Sequence, residues 1–223
     1  MSWDVVIFTV TMATLAVAIS LPPALALAWL LARKNWPGKF LLETLVTIPL
    51  VLPPVATGFA LLLLLGRQGW LGSRLEEWFG WEIIFTWKAV VAAMAVMALP
   101  LMVRTARVGF ESVDPQLEDA ARSLGAGPWK VFWQITLPLA RRGVLGGVVL
   151  GFARALGEFG ATIVVAGNIP GRTTTIPLAI YTDVLLGDNG AALRLIAVSL
   201  SVAFLAIALG EWLVRPLPGL SGR

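Results

Sequence analysis

Two charged residues stand alone inside an otherwise apolar stretch: Arg154 and Glu158, in Arg154-Ala155-Leu156-Gly157-Glu158-Phe159-Gly160-Ala161-Thr162. On a helix, residues four apart share one face, one turn above the other. Charges at bilayer depth are costly unless they are paired or meet water. The pair therefore either lines and braces a polar pathway, with Arg154 able to attract a divalent oxyanion, or pins its helix to a neighbour as a structural ion pair. A second cluster, Arg172-Thr173-Thr174-Thr175, offers a guanidinium and three hydroxyls, all able to donate to an oxyanion. The same threonines suit the capped start of an amphipathic surface helix better. A third cluster, Glu118-Asp119, puts two carboxylates shortly after Asp114-Pro115. Histidine and cysteine do not occur, which excludes disulfides, thiol nucleophiles and the usual zinc or haem ligands. Nor does Gly-x-x-x-x-Gly-Lys-Ser/Thr, the phosphate loop of nucleotide hydrolases. These residues suit passage of a solute, not catalysis.

The elements that hold them are dictated by hydropathy. Of the 223 residues 58% are hydrophobic and 13% charged, with a mean hydropathy of +0.84, whereas soluble domains carry about 25% charged residues. The charges gather in short clusters between apolar runs, the pattern of membrane-spanning helices. Five spans are predicted, at 5–32, 41–65, 88–108, 143–167 and 192–214, giving an all-α polytopic membrane protein with one domain over 1–223. The first span lacks a basic leader and a cleavage site and reads as a retained helix. Ten tryptophans suit the headgroup boundary.

Orientation follows from the basic residues. The joints 33–39 and 104–142, with the tail, hold Arg33, Lys34, Lys39, Arg104, Arg107, Arg122, Lys130, Arg141, Arg142, Arg215 and Arg223. The opposite side holds Arg67, Arg74, Lys88, Arg172 and Arg194. This bias predicts an outside N-terminus and an inside C-terminus. It also explains the pI near 10.1 as topology, not as a site for nucleic acid. Pro22-Pro23, Pro49 and Pro53-Pro54 predict kinked or broken helices in the first two spans, tolerated where protein or a water-filled path satisfies the freed carbonyls. Gly143, Gly147, Gly151 and Ala155 form a small-residue stripe for close helix packing, within the subunit or against a second copy.

The inside joint, about 105–142, carries the most pattern. Asp114 can cap a helix and Pro115 fits its first position; Gly125 or Gly127 ends it. The prediction is a helix of about ten residues (too short to be stable alone in water), then an interfacial segment Trp129–Leu139 ending at Pro138. Such a helix needs something to dock into, which implies a cytoplasmic partner, or else it lies on the membrane surface.

Asp119-Ala120-Ala121, Gly125 and Ile135-Thr136-Leu137-Pro138 resemble the conserved cytoplasmic loop of permease subunits of binding-protein-dependent ABC importers. The leading glutamate of that loop is Asp119 here, with Glu118 beside it, so either acid could face the partner. The 154–162 stretch resembles the fourth-helix signature of molybdate and sulfate permeases. Pro49 through Gly58, Gly66-Arg67-Gln68-Gly69 and Asn168 through Tyr181 resemble the molybdate branch. The resemblance implies a type I ABC importer permease fold in the cytoplasmic membrane of a prokaryote, moving molybdate, with tungstate, sulfate or thiosulfate as alternatives. It implies that 105–142 is the coupling loop, with Glu118, Asp119, Ala120, Ala121, Gly125, Ile135, Leu137 and Pro138 meeting an ATP-binding subunit present in two copies. ATP and Mg would be held by that partner, with no cofactor on this chain. A second copy of this chain would complete the pathway, and an extracytoplasmic molybdate-binding protein would dock on 66–87 and 168–191, where Arg172 and Thr173–Thr175 lie. An ion-coupled secondary transporter is the other class; it calls for internal repeats and coupling acids, against no repeat and one intramembrane acid here. The apolar run Ile176–Leu186 should lie at the membrane surface or dip into it.

Overall fold

Pro22-Pro23 and Pro53-Pro54 are the same dipeptide, each preceded by a leucine, yet the chain treats them differently. The computed structural model describes residues 3–214; Arg215 and Arg223, part of the basic tail, lie outside the described residues. Helix α1 (Trp3–Arg33) runs unbroken through Pro22-Pro23. Both rings sit on its exposed side, and the carbonyls they leave without a donor belong to Ala18 and Ile19, also exposed. The opposite side buries Ala13, Ala16, Ala24 and Ala28, so tertiary packing holds the helix across the prolines. The expected break there does not occur. In the second span it does. Helices α2 (Lys39–Val51) and α3 (Pro54–Leu65) are bent by 113° at extended Leu52 and Pro53. A residue before proline is pushed out of the helical region. Helix α2, which fully buries no residue and packs only through half-buried side chains such as Leu42 and Val46, does little to oppose that push. Pro49 is absorbed inside α2.

Next come α4 (Trp70–Phe79), α5 (Trp87–Glu111), α6 (Pro115–Ser123) and α7 (Pro128–Val131). A π turn (Phe132–Thr136) then leads into α8 (Leu137–Leu156), followed by α9 (Gly160–Ala166), α10 (Ile176–Leu185) and α11 (Asn189–Val214). No strand occurs among the described residues. Among the described residues four helices are long and apolar enough to cross a membrane, or five with α2–α3 counted as one span, matching the five expected. At 1.5 Å per residue, the 25 residues of α5 reach about 37 Å, enough for a hydrocarbon core of about 30 Å.

Helix α5 is the centre, packed against both α1 and α8. Met94, Met97, Met102, Val103 and Phe110 are buried along it. The small-residue stripe of α8 serves this packing within the subunit. A Cβ on Gly143 would stand 2.5 Å from the Gly109 Cα, and one on Gly147 would stand 3.0 Å from the Met102 carbonyl oxygen. Only glycine permits backbones this close. The outer faces of α2, α3 and α11 expose Phe40, Leu41, Leu45, Phe59, Leu200 and Phe204, surface for lipid or another subunit and not for water.

The segment Trp129–Leu139, predicted as interfacial, is helical and runs on into the fourth span. Pro138 does not end it but lies in the first turn of α8. Its missing N–H is accommodated by the widened turn before it, where Leu137 N–H donates to the Phe132 carbonyl five residues back. The fourth span is also not continuous to 167: α8 stops at Leu156 and α9 restarts at Gly160, so Glu158 lies in a break and not on the helix of Arg154.

Candidate functional site

Three groups of side chains form around these elements. At the end of the bundle where α1 finishes and α6 lies, Asp114 accepts from Gln116 N–H at 2.9 Å and caps α6. Gly125, at φ +84, turns the chain out of the helix, and Ala126 N–H returns to the Ala121 carbonyl at 3.0 Å, a left-handed stop that glycine adopts without strain. The two neighbouring acids point opposite ways. Glu118 is 5% exposed, receiving Arg33 Nη2 at 2.9 Å and Thr136 Oγ1 at 2.7 Å on one oxygen. Asp119 is exposed and holds Arg122 at 2.6 Å. Ala120, Leu117, Leu124 and Gly125 are exposed beside it. Ile135 and Leu137 are half-buried and Pro138 is exposed. The partners of Glu118 were missed in the sequence. In the sequence Arg33 bears on topology alone, and Thr136 only belongs to the Ile135–Pro138 run. Arg107 was likewise missed as a bridge, tying α2 to α5 through Glu43 at 2.7 Å and Glu111 at 2.6 Å.

The second group occupies the break between α8 and α9. Arg154 Nη1 lies 2.7 Å from Glu158 Oε2, and Ala161 N–H donates to Glu158 Oε1 at 2.6 Å. One carboxylate thus caps α9 and ties it back to the last turn of α8, its charge satisfied by the guanidinium and by a helix start. Glu158 is 1% exposed, while the Arg154 side chain is 24% exposed. The break abuts the one in the second span: a Cβ on Gly160 would meet Pro54 Cβ at 2.7 Å, and one on Gly58 would meet Ala161 Cα at 2.8 Å. Two interrupted spans therefore meet at their interruptions.

The third group lies at the opposite end, where α1 starts. Here Thr173 Oγ1 accepts from Ile169 N–H at 2.9 Å, and Thr174 Oγ1 donates to Asn168 Oδ1 at 2.7 Å. Thr173 and Thr175 are fully buried, and Thr9 Oγ1 accepts from Ile176 N–H at 2.9 Å. Thr173 and Thr174 hold the loop together, and Thr9 docks the start of α10 on α1. Arg172 alone of this cluster points outward, exposed and with no ion pair among the described residues. It shares a groove of about 580 Å³ with Arg67, Glu76 and Glu82. Glu82, then Glu76, raise the Arg67 pKa above its ordinary value.

Residues 24–217 match the family model for the binding-protein-dependent transport system inner membrane component. The chain belongs to this family. It is 50% identical over 215 residues to the molybdenum transport system permease protein ModB of Escherichia coli (strain K12), spanning 96% of this chain and 93% of that one. It is 49% identical over 197 residues to ModB of Haemophilus influenzae, spanning 88% and 86%. Its fold is also that of a bacterial ABC transporter involved in the import of the acidic polysaccharide alginate, with a TM-score of 0.71 at 16% identity, covering 95% of this chain and 79% of that one. The protein is thus an integral membrane permease.

Proposed function

We propose that the chain is the permease subunit of an ATP-driven molybdate importer. The observation that carries this reading is the 50% identity to a molybdenum permease across 96% of the chain. The α6 geometry supports the coupling part: a short capped helix whose Asp119, Leu117 and Leu124 face outward is built to be covered by another protein. The partner is an ATP-binding subunit on the cytoplasmic side, in two copies, each holding ATP and Mg. Two copies of this one-domain chain enclose the path, and a molybdate-binding protein docks on the outer end, at 66–87 and 168–191. ATP-driven closure of the ATPase pair moves α6 and turns the path outward to receive the anion; hydrolysis returns it inward. The N-terminus then lies outside, in keeping with the charge bias. Arg172 is an exposed cation at this end, in the groove it shares with Arg67. Thr173 and Thr174 are engaged in the loop that carries it, so Arg172 is the member of the cluster that we propose meets the oxyanion.

The test is ATPase activity of the reconstituted importer with molybdate, tungstate and sulfate titrated separately through the loaded binding protein. Stimulation by molybdate at low concentration and none by sulfate is the expected result. Equal stimulation by sulfate would overturn the molybdate assignment, and stimulation by tungstate alone would replace it.

A further inference from the structure

Helix α6 is arranged inside out for a helix that packs by burial. Its Leu117 and the Leu124 that caps its end are 49% and 90% exposed, and the residue it buries is an acid, Glu118. What fixes α6 to the membrane bundle is therefore polar. The carboxylate Oε1 of Glu118 receives Arg33 Nη2 at 2.9 Å and Thr136 Oγ1 at 2.7 Å, and Arg122 Nη2 lies 3.5 Å from Oε2. Arg33 Nη2 also donates to the Val113 carbonyl at 3.0 Å, just ahead of α6. Arg33 is the last residue of α1, and Thr136 is the last residue of the π turn that feeds α8. One carboxylate thus joins α6 to two spans, and the second of them carries Arg154 at its far end.

We infer that Glu118, with Arg33 and Thr136, is the linkage that passes displacement of α6 into α1 and α8, while Asp119 and the exposed leucines meet the partner. Glu118 is on this account a positioning residue facing the membrane domain. A charge-assisted, buried three-way contact suits the task because breaking an arm removes the strongest partner of a buried charge or hydroxyl. It therefore moves as a unit. The inference rests on α6 being the docking helix for the ATPase.

The test uses the complete importer in liposomes and reads three quantities: ATPase subunit retained on purification, thermal midpoint, and molybdate taken up per ATP hydrolysed. Glu118→Gln keeps the shape and removes the charge. Its ATPase subunit should remain bound at the unaltered ratio while uptake per ATP falls at least fivefold. Arg33→Gln should do the same, and the double variant should fall no further, since both remove one linkage. Thr136→Val, which removes a single hydrogen bond, should fall about twofold. A lower yield of folded complex with uptake per ATP unchanged would mean a merely structural contact and would overturn the linkage. Leu124→Asp separates the underlying reading: it should lose the ATPase subunit. If Leu124→Asp retains that subunit, α6 is not the docking helix and the inference falls with it. If Leu124→Asp loses it but Glu118→Gln pumps normally, only the linkage falls.

Discussion

Glu158→Gln separates a tie from a pathway lining. Glutamine keeps an oxygen for Ala161 N–H, at 2.6 Å in the native protein, so the cap on α9 survives. The ion pair to Arg154, at 2.7 Å, does not. Stranding one member of a buried pair costs about 3–5 kcal/mol; the 24% exposure of Arg154 puts this case near the lower end, about 3 kcal/mol. Removing both charges, as Arg154→Gln with Glu158→Gln, leaves no stranded ion and should cost about 1 kcal/mol. For a chain of this size each kcal/mol moves the thermal midpoint by roughly 2–4 °C. The single variant should therefore melt roughly 6–12 °C lower and the double roughly 2–4 °C lower. The assay is loss of the monodisperse peak in size-exclusion chromatography after heating in detergent. A double variant as unstable as the single would refute the reasoning. Equal loss of transport in both, with the double stable, would assign Arg154 a direct role in the path.

Replacing Gly125 with valine forces a β-branched residue to φ +84 in otherwise open space; the chain should insert normally, yet lose substrate-stimulated ATPase, and unchanged stimulation would contradict a coupling role for the α6 stop. Gly143→Val places a Cβ 2.5 Å from the Gly109 Cα, which should lower stability by about 1–3 kcal/mol through separation of α5 from α8; an unshifted melting profile would contradict the contact. Asp114→Ala removes the cap on Gln116 N–H and should cost about 1 kcal/mol locally, read as faster hydrogen exchange confined to 115–123.

The spans, the two ends of α6 and the stop at Gly125 were legible because each rests on local chemistry: apolar length, an Asp-Pro start, a glycine finish. The break at Glu158 was not. The sequence there has Gly157 and Gly160 but no proline, and the four-residue spacing to Arg154 reads equally well as one helical turn. The opposite fates of Pro22-Pro23 and Pro53-Pro54 were illegible for another reason, since burial of four alanines on α1 and of no residue on α2 belongs to tertiary packing. The inward aim of Glu118 depends on Arg33, 85 residues away, and no local pattern announces it. The threonines after Arg172 matched both readings until Ile169 N–H claimed Thr173 and Asn168 claimed Thr174.

The order in which the helices meet bears on how the chain is made. Helix α5 packs on α1, α8 on α5, and α11 on α8 and α10, so each long helix finds its principal neighbour already synthesised. The most apolar stretch of α5 is 61% buried and that of α11 only 11%. Biogenesis can therefore close the α1–α5–α8 core while the last span is still leaving the ribosome, and α11 joins a finished surface.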